Sequence, residues 1–207
     1  MAPRTARVAL AGGLVLLALA GCRTAPPPTP TIGPGADAPW AEQEAALRKL
    51  DRYSMSGRVA VAAGEQGFSG SLRYQQQAER ADLAIDGPLG IGGVRVAVDG
   101  EDLSITTSRG EKLDGNAARE ELERRLGFEL PAHQLRWWLL GVAEPREGPA
   151  GHALDGDPPP GAQSFEQDGW KVSVQSRAPA MGFALPQRLT IERGGARLKL
   201  LVEKWQP

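Results

Sequence analysis

Cysteine is nearly absent from this chain of 207 residues, which has a single copy at Cys22. One thiol excludes a disulfide within the chain and a zinc site built on cysteines. Histidine is almost as scarce, and His133 and His152 lack the spacing of a metal site or of a nucleophile with its base. We expect both histidines to be surface residues. The sequence therefore predicts a protein that is not an enzyme and that binds no metal or other cofactor.

Positive charge is not in excess either. The chain has 24 Lys and Arg residues against 25 Asp and Glu residues, and its formal net charge is −1. A chain with this balance lacks the basic surplus that non-specific contact with nucleic-acid phosphates needs, and its net charge would not attract it strongly to anionic lipid. We therefore expect no nucleic-acid partner.

Long apolar runs are confined to the N-terminus. The run from Val8 to Leu19 follows Arg4 and Arg7 and is too short to span a bilayer comfortably. This order of charge and apolar residues predicts a signal peptide over residues 1–21. No later run approaches the roughly twenty residues that a membrane-spanning helix needs.

The signal ends in Leu19-Ala20-Gly21-Cys22, which resembles the bacterial lipobox. The resemblance implies cleavage before Cys22, a diacylglyceryl group on its sulfur, and acylation of its new amino group. The alternative is an ordinary signal peptide with an incidental cysteine. Arg23 follows where bacterial lipoproteins retained in the inner membrane commonly have aspartate, so the same resemblance implies an outer-membrane lipoprotein that faces the periplasm.

Two further segments complete the predicted organisation. Residues 22–38 are rich in proline and have little to bury, which predicts a flexible stalk. At about 3.1 Å per residue this stalk would reach roughly 50 Å from the lipid. Residues 39–207 are long enough for one globular domain with a sizeable core, and we expect a monomer.

The spacing of apolar residues divides this domain into helices and strands. Trp40, Leu47 and Leu50 predict an amphipathic helix over 39–52, and a period of two then predicts strands from about residue 54. Helices are predicted again over 116–126 and from Pro131 to Gly141. A loop over 142–162 follows, in which 151–155 could add a short strand, and strands resume to the C-terminus.

Short hairpin connections between about ten strands favour an incompletely closed antiparallel β-barrel over a sandwich. The predicted fold class is therefore mainly β with a few α-helices, whose apolar faces lie inside the open sheet and leave a cavity for an acyl chain. Alternation selects the inner face, although a slip of one residue would exchange the two faces. The candidate acyl-cavity residues are Val59, Val61, Leu83, Ile85, Val94, Val96, Leu103, Ile105, Leu198 and Leu200.

The connection after the third predicted strand is unusual for a turn because it carries apolar residues. Pro88, Leu89 and Gly90 lie in its middle, with further glycines on both sides. One interpretation is a wide hairpin whose Leu89 folds back under the sheet. The other is a protruding loop, whose exposed leucine would gain roughly 1.5–3 kcal/mol on entering an apolar environment. Such a gain suits brief contact with a membrane.

The mature chain resembles the LolB family along essentially its whole length. The matching features are the lipobox cysteine Cys22, the segments 87–90 and 135–141, the segment 167–170, and the last strand, which ends at Trp205. Each motif is weak, but their order and spacing are specific. Val174 departs from the family pattern, which often has a tyrosine at that position.

The resemblance implies an open barrel of about eleven strands with a helical lid around an apolar cavity. It also implies a receptor that accepts client lipoproteins from the periplasmic carrier LolA and inserts them into outer-membrane phospholipid without ATP. Leu89 would be the protruding leucine needed for insertion. The alternative is a structural lipoprotein that scaffolds an outer-membrane complex and transfers no lipid.

Overall fold

A single ten-stranded antiparallel sheet forms the body of the domain. The computed structural model describes residues 31–87, 93–145 and 163–207. The strands lie in the order β6-β5-β4-β3-β2-β1-β10-β9-β8-β7, and β6 and β7 are edges that do not pair with each other, so the sheet is open as predicted. The strands are β1 Arg52–Ala63, β2 Gln66–Gln77, β3 Arg80–Asp86, β4 Val94–Asp99, β5 Asp102–Thr107, β6 Lys112–Asp114, β7 Gln163–Gln167, β8 Trp170–Ala180, β9 Phe183–Arg193 and β10 Ala196–Gln206.

Apolar and polar residues alternate along the central strands. In β1 the buried Val59 and Val61 alternate with the exposed Arg58 and Ala60, and β3 and β4 show the same pattern. Each strand therefore presents one face to the core and one to solvent, as its period of two predicts. The pairing of β1 with β10 shifts at Gly57, where an added Cβ would lie 2.1 Å from the Leu201 carbonyl oxygen. Only glycine fits this bulge.

Three helices accompany the sheet. They are α1 Trp40–Leu47, α2 Gly115–Leu126 and α3 Leu135–Trp138. Gly127 ends α2 in the left-handed region with φ of 81°, and its N–H donates to the Glu123 carbonyl at 2.7 Å. Among the described residues, no helix has the length and apolar character needed to cross a membrane. The predicted class, mainly β with a few helices, is confirmed.

Two predicted helices are longer than the helices observed. The prediction over 39–52 is wrong at its end, because α1 stops at Leu47 and Arg52 already pairs with Gln77 across β1 and β2. The apolar spacing crosses the junction between the two elements. The prediction from Pro131 to Gly141 reduces to the four residues of α3, after which i to i+3 hydrogen bonds tighten the chain into turns.

Other boundaries also moved. The short edge strand β6 is not indicated by the sequence pattern. Alternation predicts strands over 170–176 and 187–193, whereas β8 and β9 each continue four residues further into their shared hairpin. The possible strand over 151–155 lies outside the described residues.

At the start of the domain, the N–H groups of Ile32 and Gly33 donate to the Met181 carbonyl at 3.0 and 2.9 Å. The end of the predicted stalk is therefore bound to the turn between β8 and β9.

Candidate functional site

A small enclosed cavity lies between the inner face of the sheet and the helical segments. Its volume is about 20 Å³, and every residue that lines it is apolar. An apolar cavity of roughly 150 Å³ is needed to hold even one benzene molecule. The cavity is therefore closed to an acyl chain in this conformation. Its lining residues are Val59, Val61, Leu72, Leu83, Ile85, Leu122, Leu126, Leu130, Leu135, Leu139, Ile191, Leu198 and Leu200.

The ten candidate cavity residues are all buried on the inner face, but the structure does not bring all of them to the cavity. Six line it: Val59, Val61, Leu83, Ile85, Leu198 and Leu200. The other four lie on β4 and β5, the latter being the strand on which α2 packs most, and they form the part of the core beside the cavity. These four are Val94, Val96, Leu103 and Ile105.

The candidate set omitted residues that the structure places in the cavity wall. Leu72 and Ile191 occupy inward positions of β2 and β9, and alternation along those strands could have found them. Five leucines come from α2, from α3 and its end, and from the connection between the two helices: Leu122, Leu126, Leu130, Leu135 and Leu139. The helical spacing of Leu122 with Leu126 and of Leu135 with Leu139 was visible in the sequence. Only the fold shows that the helices and the sheet enclose one space.

Helix α2 closes one side of the cavity and is held mainly by apolar contacts. Ala118, Leu122 and Leu126 are buried beneath it. Within the described part of the chain, one side-chain hydrogen bond joins α2 to the sheet, from Arg119 Nη2 to the Glu101 carbonyl at 2.9 Å. That bond is exposed, so it adds little to the attachment.

The α3 segment closes another side and is held by hydrogen bonds that are buried or partly buried. The Tyr53 hydroxyl donates to the Arg136 carbonyl at 2.5 Å, and Trp137 Nε1 donates to the Arg48 carbonyl at 3.4 Å. The fully buried Trp138 donates from Nε1 to Gln167 Oε1 at 2.8 Å. These bonds join α3 to β1, to the end of α1 and to β7.

Gln167 extends this attachment beyond α3. Its Oε1 also accepts from the Glu144 N–H at 3.0 Å, and its Nε2 donates to the Glu144 carbonyl at 3.2 Å. The side chain is 6% exposed. One buried amide therefore satisfies a tryptophan and both backbone groups of a residue beyond α3, which fixes this loop on β7.

Arg177 forms a second attachment of the loop that follows α3. Its guanidinium donates from Nη1 to the Ala184 carbonyl at 3.0 Å, and from Nη2 to the Gly141 carbonyl at 3.3 Å and to Gln163 Oε1 at 2.9 Å. It lies 4.1 Å from the ring centre of Trp40. Burial lowers the pKa of Arg177 to about 10, which leaves it charged at neutral pH.

The described residues contain no evident catalytic arrangement. No group of three or more His, Cys, Asp or Glu within them is placed to hold a metal ion. His133 is half-exposed and lies 3.2 Å from Glu144 Oε1, whereas His152 is outside the described residues. Cys22, Pro88, Leu89 and Gly90 also lie outside them, so their predicted roles stay predictions.

Comparisons with known proteins agree with the resemblance. The family model for "Outer membrane lipoprotein LolB" matches residues 51–205. A protein of that name from Stutzerimonas stutzeri is 31% identical over 198 residues, which cover 96% of this chain and 94% of that protein. Another from Nitrosococcus oceani is 30% identical over 197 residues, covering 92% and 93%. A solved LolA superfamily structure from Nitrosomonas europaea has a TM-score of 0.48 at 11% identity, covering 79% of this chain and 92% of that one.

Proposed function

We propose that this chain, which belongs to the LolB family of outer-membrane lipoproteins, accepts client lipoproteins from the periplasmic carrier LolA and inserts them into the outer membrane. The cavity between the sheet and the helices would hold the client's acyl chains. The observation that carries the proposal is the wholly apolar lining of this cavity. Such a site offers an acyl chain dispersion contacts and removal from water, and it offers nothing to a polar ligand.

The cavity must enlarge before it can accept a chain. Leu122 and Leu126 occupy one wall and belong to α2, which within the described residues has one side-chain hydrogen bond to the sheet, and that bond is exposed. Moving α2 outward would vacate their space, and the methylenes of an acyl chain would take over the apolar packing of these leucines at about 0.8 kcal/mol each. The α3 segment would stay in place as the fixed wall.

Transfer would then need no ATP and no covalent step. A client's chains move from a weaker apolar site on the carrier to this cavity, and then to a bilayer that buries their methylenes more completely. We assign lipidation to Cys22, which anchors the receptor, and membrane contact during insertion to Leu89 with its neighbours Pro88 and Gly90. The direction of transfer follows from the order of the three affinities.

A client labelled with a photoactivatable acyl chain tests where the chain binds. After transfer from purified carrier to the lipidated protein, cross-links are expected on cavity residues such as Leu122 and Leu198. Cross-links confined to the outer face of the sheet would contradict acyl-chain binding in the cavity. Failure of the protein to take any client would contradict the receptor function and favour the scaffold alternative.

A matched pair of substitutions on β10 tests the cavity by blocking it. Leu198→Trp places a large ring inside the cavity, whereas Arg197→Trp places the same ring on the exposed outer face. Transfer should fall at least tenfold for the first variant and remain near wild type for the second. Circular dichroism of both variants separates a blocked cavity from a misfolded chain.

The loop is tested separately from the cavity. Leu89→Glu should leave acceptance from the carrier unchanged and slow insertion into liposomes by roughly ten- to a hundredfold, because it removes about 1.5–3 kcal/mol of apolar transfer. Leu89→Ile keeps that apolar contact and serves as the control. Normal insertion by Leu89→Glu would remove this role from the loop and leave the cavity proposal standing.

A further inference from the structure

A groove of about 890 Å³ crosses the outer face of the sheet, on the side opposite the apolar cavity. It extends from the end of β3 over β2, β1, β10 and β9 to β8. Its floor is made of small residues, among them Ala60, Ser69 and Ser71. Ser69 and Ser71 alternate along β2 with the buried Leu72 and therefore face outward, and Ser69 lies opposite Ala60 in the pairing of β1 with β2. The depth of the groove follows from the small side chains at these outward positions.

The charge in this groove is unbalanced. Apart from Asp86, its charged residues are all cationic, namely Arg58, Arg73, Arg188 and Lys199. Arg58 is paired with Glu203 at 3.0 Å, and Arg73 with Asp86 at 2.6 Å. Arg188 and Lys199 are exposed and form no salt bridge with any described residue. A chain of net charge −1 thus presents two unpaired cations over a floor of small residues.

Hydroxyl groups lie beside the cations of the groove. Thr190 lies opposite Lys199 in the pairing of β9 with β10 and supplies an O–H donor, and Ser71 lies opposite Arg58 in the pairing of β1 with β2. Arginine and lysine with hydroxyl donors form a typical phosphate environment, since phosphate oxygens accept several charge-assisted hydrogen bonds. The volume is far larger than one phosphate needs, and part of the lining is apolar, including Leu201. A headgroup with its glycerol backbone fits this combination better than a free anion does.

The position of the groove also suits a lipid. Asp86 and Gly87 form part of its wall, at the point where the chain continues into the apolar residues Pro88 and Leu89. An outer-membrane lipoprotein is held within reach of phospholipid headgroups, so even a weak headgroup site would be occupied at high effective concentration. The net charge of the whole chain predicts only weak attraction to anionic lipid. The fold places several cations on this one face, so the local attraction is stronger.

We propose that this groove binds the phosphate headgroup of an anionic phospholipid, with Arg188 and Lys199 as its cationic contacts and Thr190 as a hydrogen-bond donor. The headgroup would hold the outer face of the sheet against the membrane while the inner face handles acyl chains. This site does not depend on acyl-chain transfer.

Chemical footprinting of Lys199 tests the site on the lipidated full protein. The protein is placed in nanodiscs of phosphatidylcholine with or without phosphatidylglycerol, and acetylation of each lysine is followed by mass spectrometry. Phosphatidylglycerol should slow the acetylation of Lys199 by about fivefold or more, the factor expected for one cation near an anionic surface. Lys204, exposed at the far end of the same strand, is the internal control.

Three variants and two additions decide the outcome. Arg188→Gln should abolish the protection of Lys199, Arg188→Lys should restore most of it, and Arg197→Gln, which is exposed outside the groove, should leave it unchanged. Equal labelling of Lys199 in both kinds of nanodisc would overturn the proposal. So would protection by inorganic phosphate alone, which indicates a free-anion site, or protection that requires the carrier protein, which indicates a protein-docking surface. No client is present, so failure here leaves the acyl-chain proposal intact.

Discussion

Helix α2 and the α3 segment cover the same face of the sheet with the same kind of residue, yet they are attached in different ways. Each contributes leucines to the cavity wall. Beneath α2 the contacts are apolar, and the one side-chain hydrogen bond to the sheet found in the described part of the chain is exposed. Around α3, buried side chains satisfy backbone and indole groups. The two walls differ less in how deeply they are buried than in whether apolar contacts or hydrogen bonds attach them to the sheet.

The difference matters because the two kinds of attachment respond differently to an acyl chain. When α2 moves outward, methylenes can replace its apolar packing because they are equally apolar. They cannot replace the hydrogen bonds of α3, because an acyl chain has neither donors nor acceptors, and each orphaned group costs about 1–3 kcal/mol. We therefore expect α2 to be the movable wall and α3 the fixed one.

Removing Gln167 should give the largest effect on stability. Gln167→Leu removes three hydrogen bonds, one from the buried Trp138 indole N–H and two partly buried bonds to the backbone of Glu144. The free energy of unfolding should fall by roughly 2 kcal/mol or more, since an orphaned buried N–H costs about 1–3 kcal/mol and each other lost hydrogen bond about 0.5–1.5 kcal/mol. Denaturant unfolding measures this loss, and Gln75→Leu, at an exposed position of β2, is the control. A loss no greater than that of the control would show that the bonds do not hold α3.

Matched leucine truncations compare the two walls directly. Leu122→Ala on α2 and Leu139→Ala after α3 each remove a buried side chain from the cavity, at about 2–3 kcal/mol of unfolding free energy. Hydrogen exchange should separate them. Leu122→Ala should speed local exchange of the α2 amides, whereas Leu139→Ala should leave the α3 amides protected because their hydrogen bonds remain. An equal increase in amide exchange at α2 and at α3 would contradict the difference between the two walls.

Much of the inner face could be predicted from sequence, and the attachments could not. Alternation along β1, β3 and β10 places Val59, Leu83 and Leu198 on the inner face, because a half-buried strand requires that period. The role of Gln167 depends on a partner 29 positions away, Trp138, and nothing local to either residue reveals the pair. The local spacing of apolar residues indicates which side chains are buried. Which polar groups form hydrogen bonds with each other depends on the tertiary structure.

The ends of the helices and strands and the outer groove could not be predicted from local sequence either. The apolar spacing at the start of the domain runs through the end of α1 into β1, so the helix was predicted too long. The groove combines residues from six strands, and only their register places Arg188 and Thr190 beside Lys199. Without the strand register, the sequence shows only that positive and negative residues are nearly equal in number.

Tyrosine ionisation gives the smallest expected effect and reports on the base of α3. Tyr53 and Tyr74 are the two tyrosines of the chain, and burial raises the pKa of both well above the ordinary value near 10. Both stay neutral in the folded state while the unfolded chain ionises, so stability should fall as pH rises above about 10. Phenolate absorbance should appear only as the protein unfolds. Ionisation near pH 10 with the circular dichroism intact would show that Tyr53 is not buried against α3.

Cross-linking each wall to the sheet before client transfer tests the central claim most directly. Arg119→Cys with Glu101→Cys joins α2 to the turn before β5, and Arg136→Cys with Glu79→Cys joins α3 to the turn before β3. In the present structure Arg119 Nη2 lies 2.9 Å from the Glu101 carbonyl oxygen, and Arg136 Nη1 lies 3.0 Å from Glu79 Oε1. A short bismaleimide closes each pair, and N-ethylmaleimide on the same variants is the control. We predict at least a tenfold loss of transfer when α2 is locked and no loss when α3 is locked. Normal transfer with α2 locked would contradict the account.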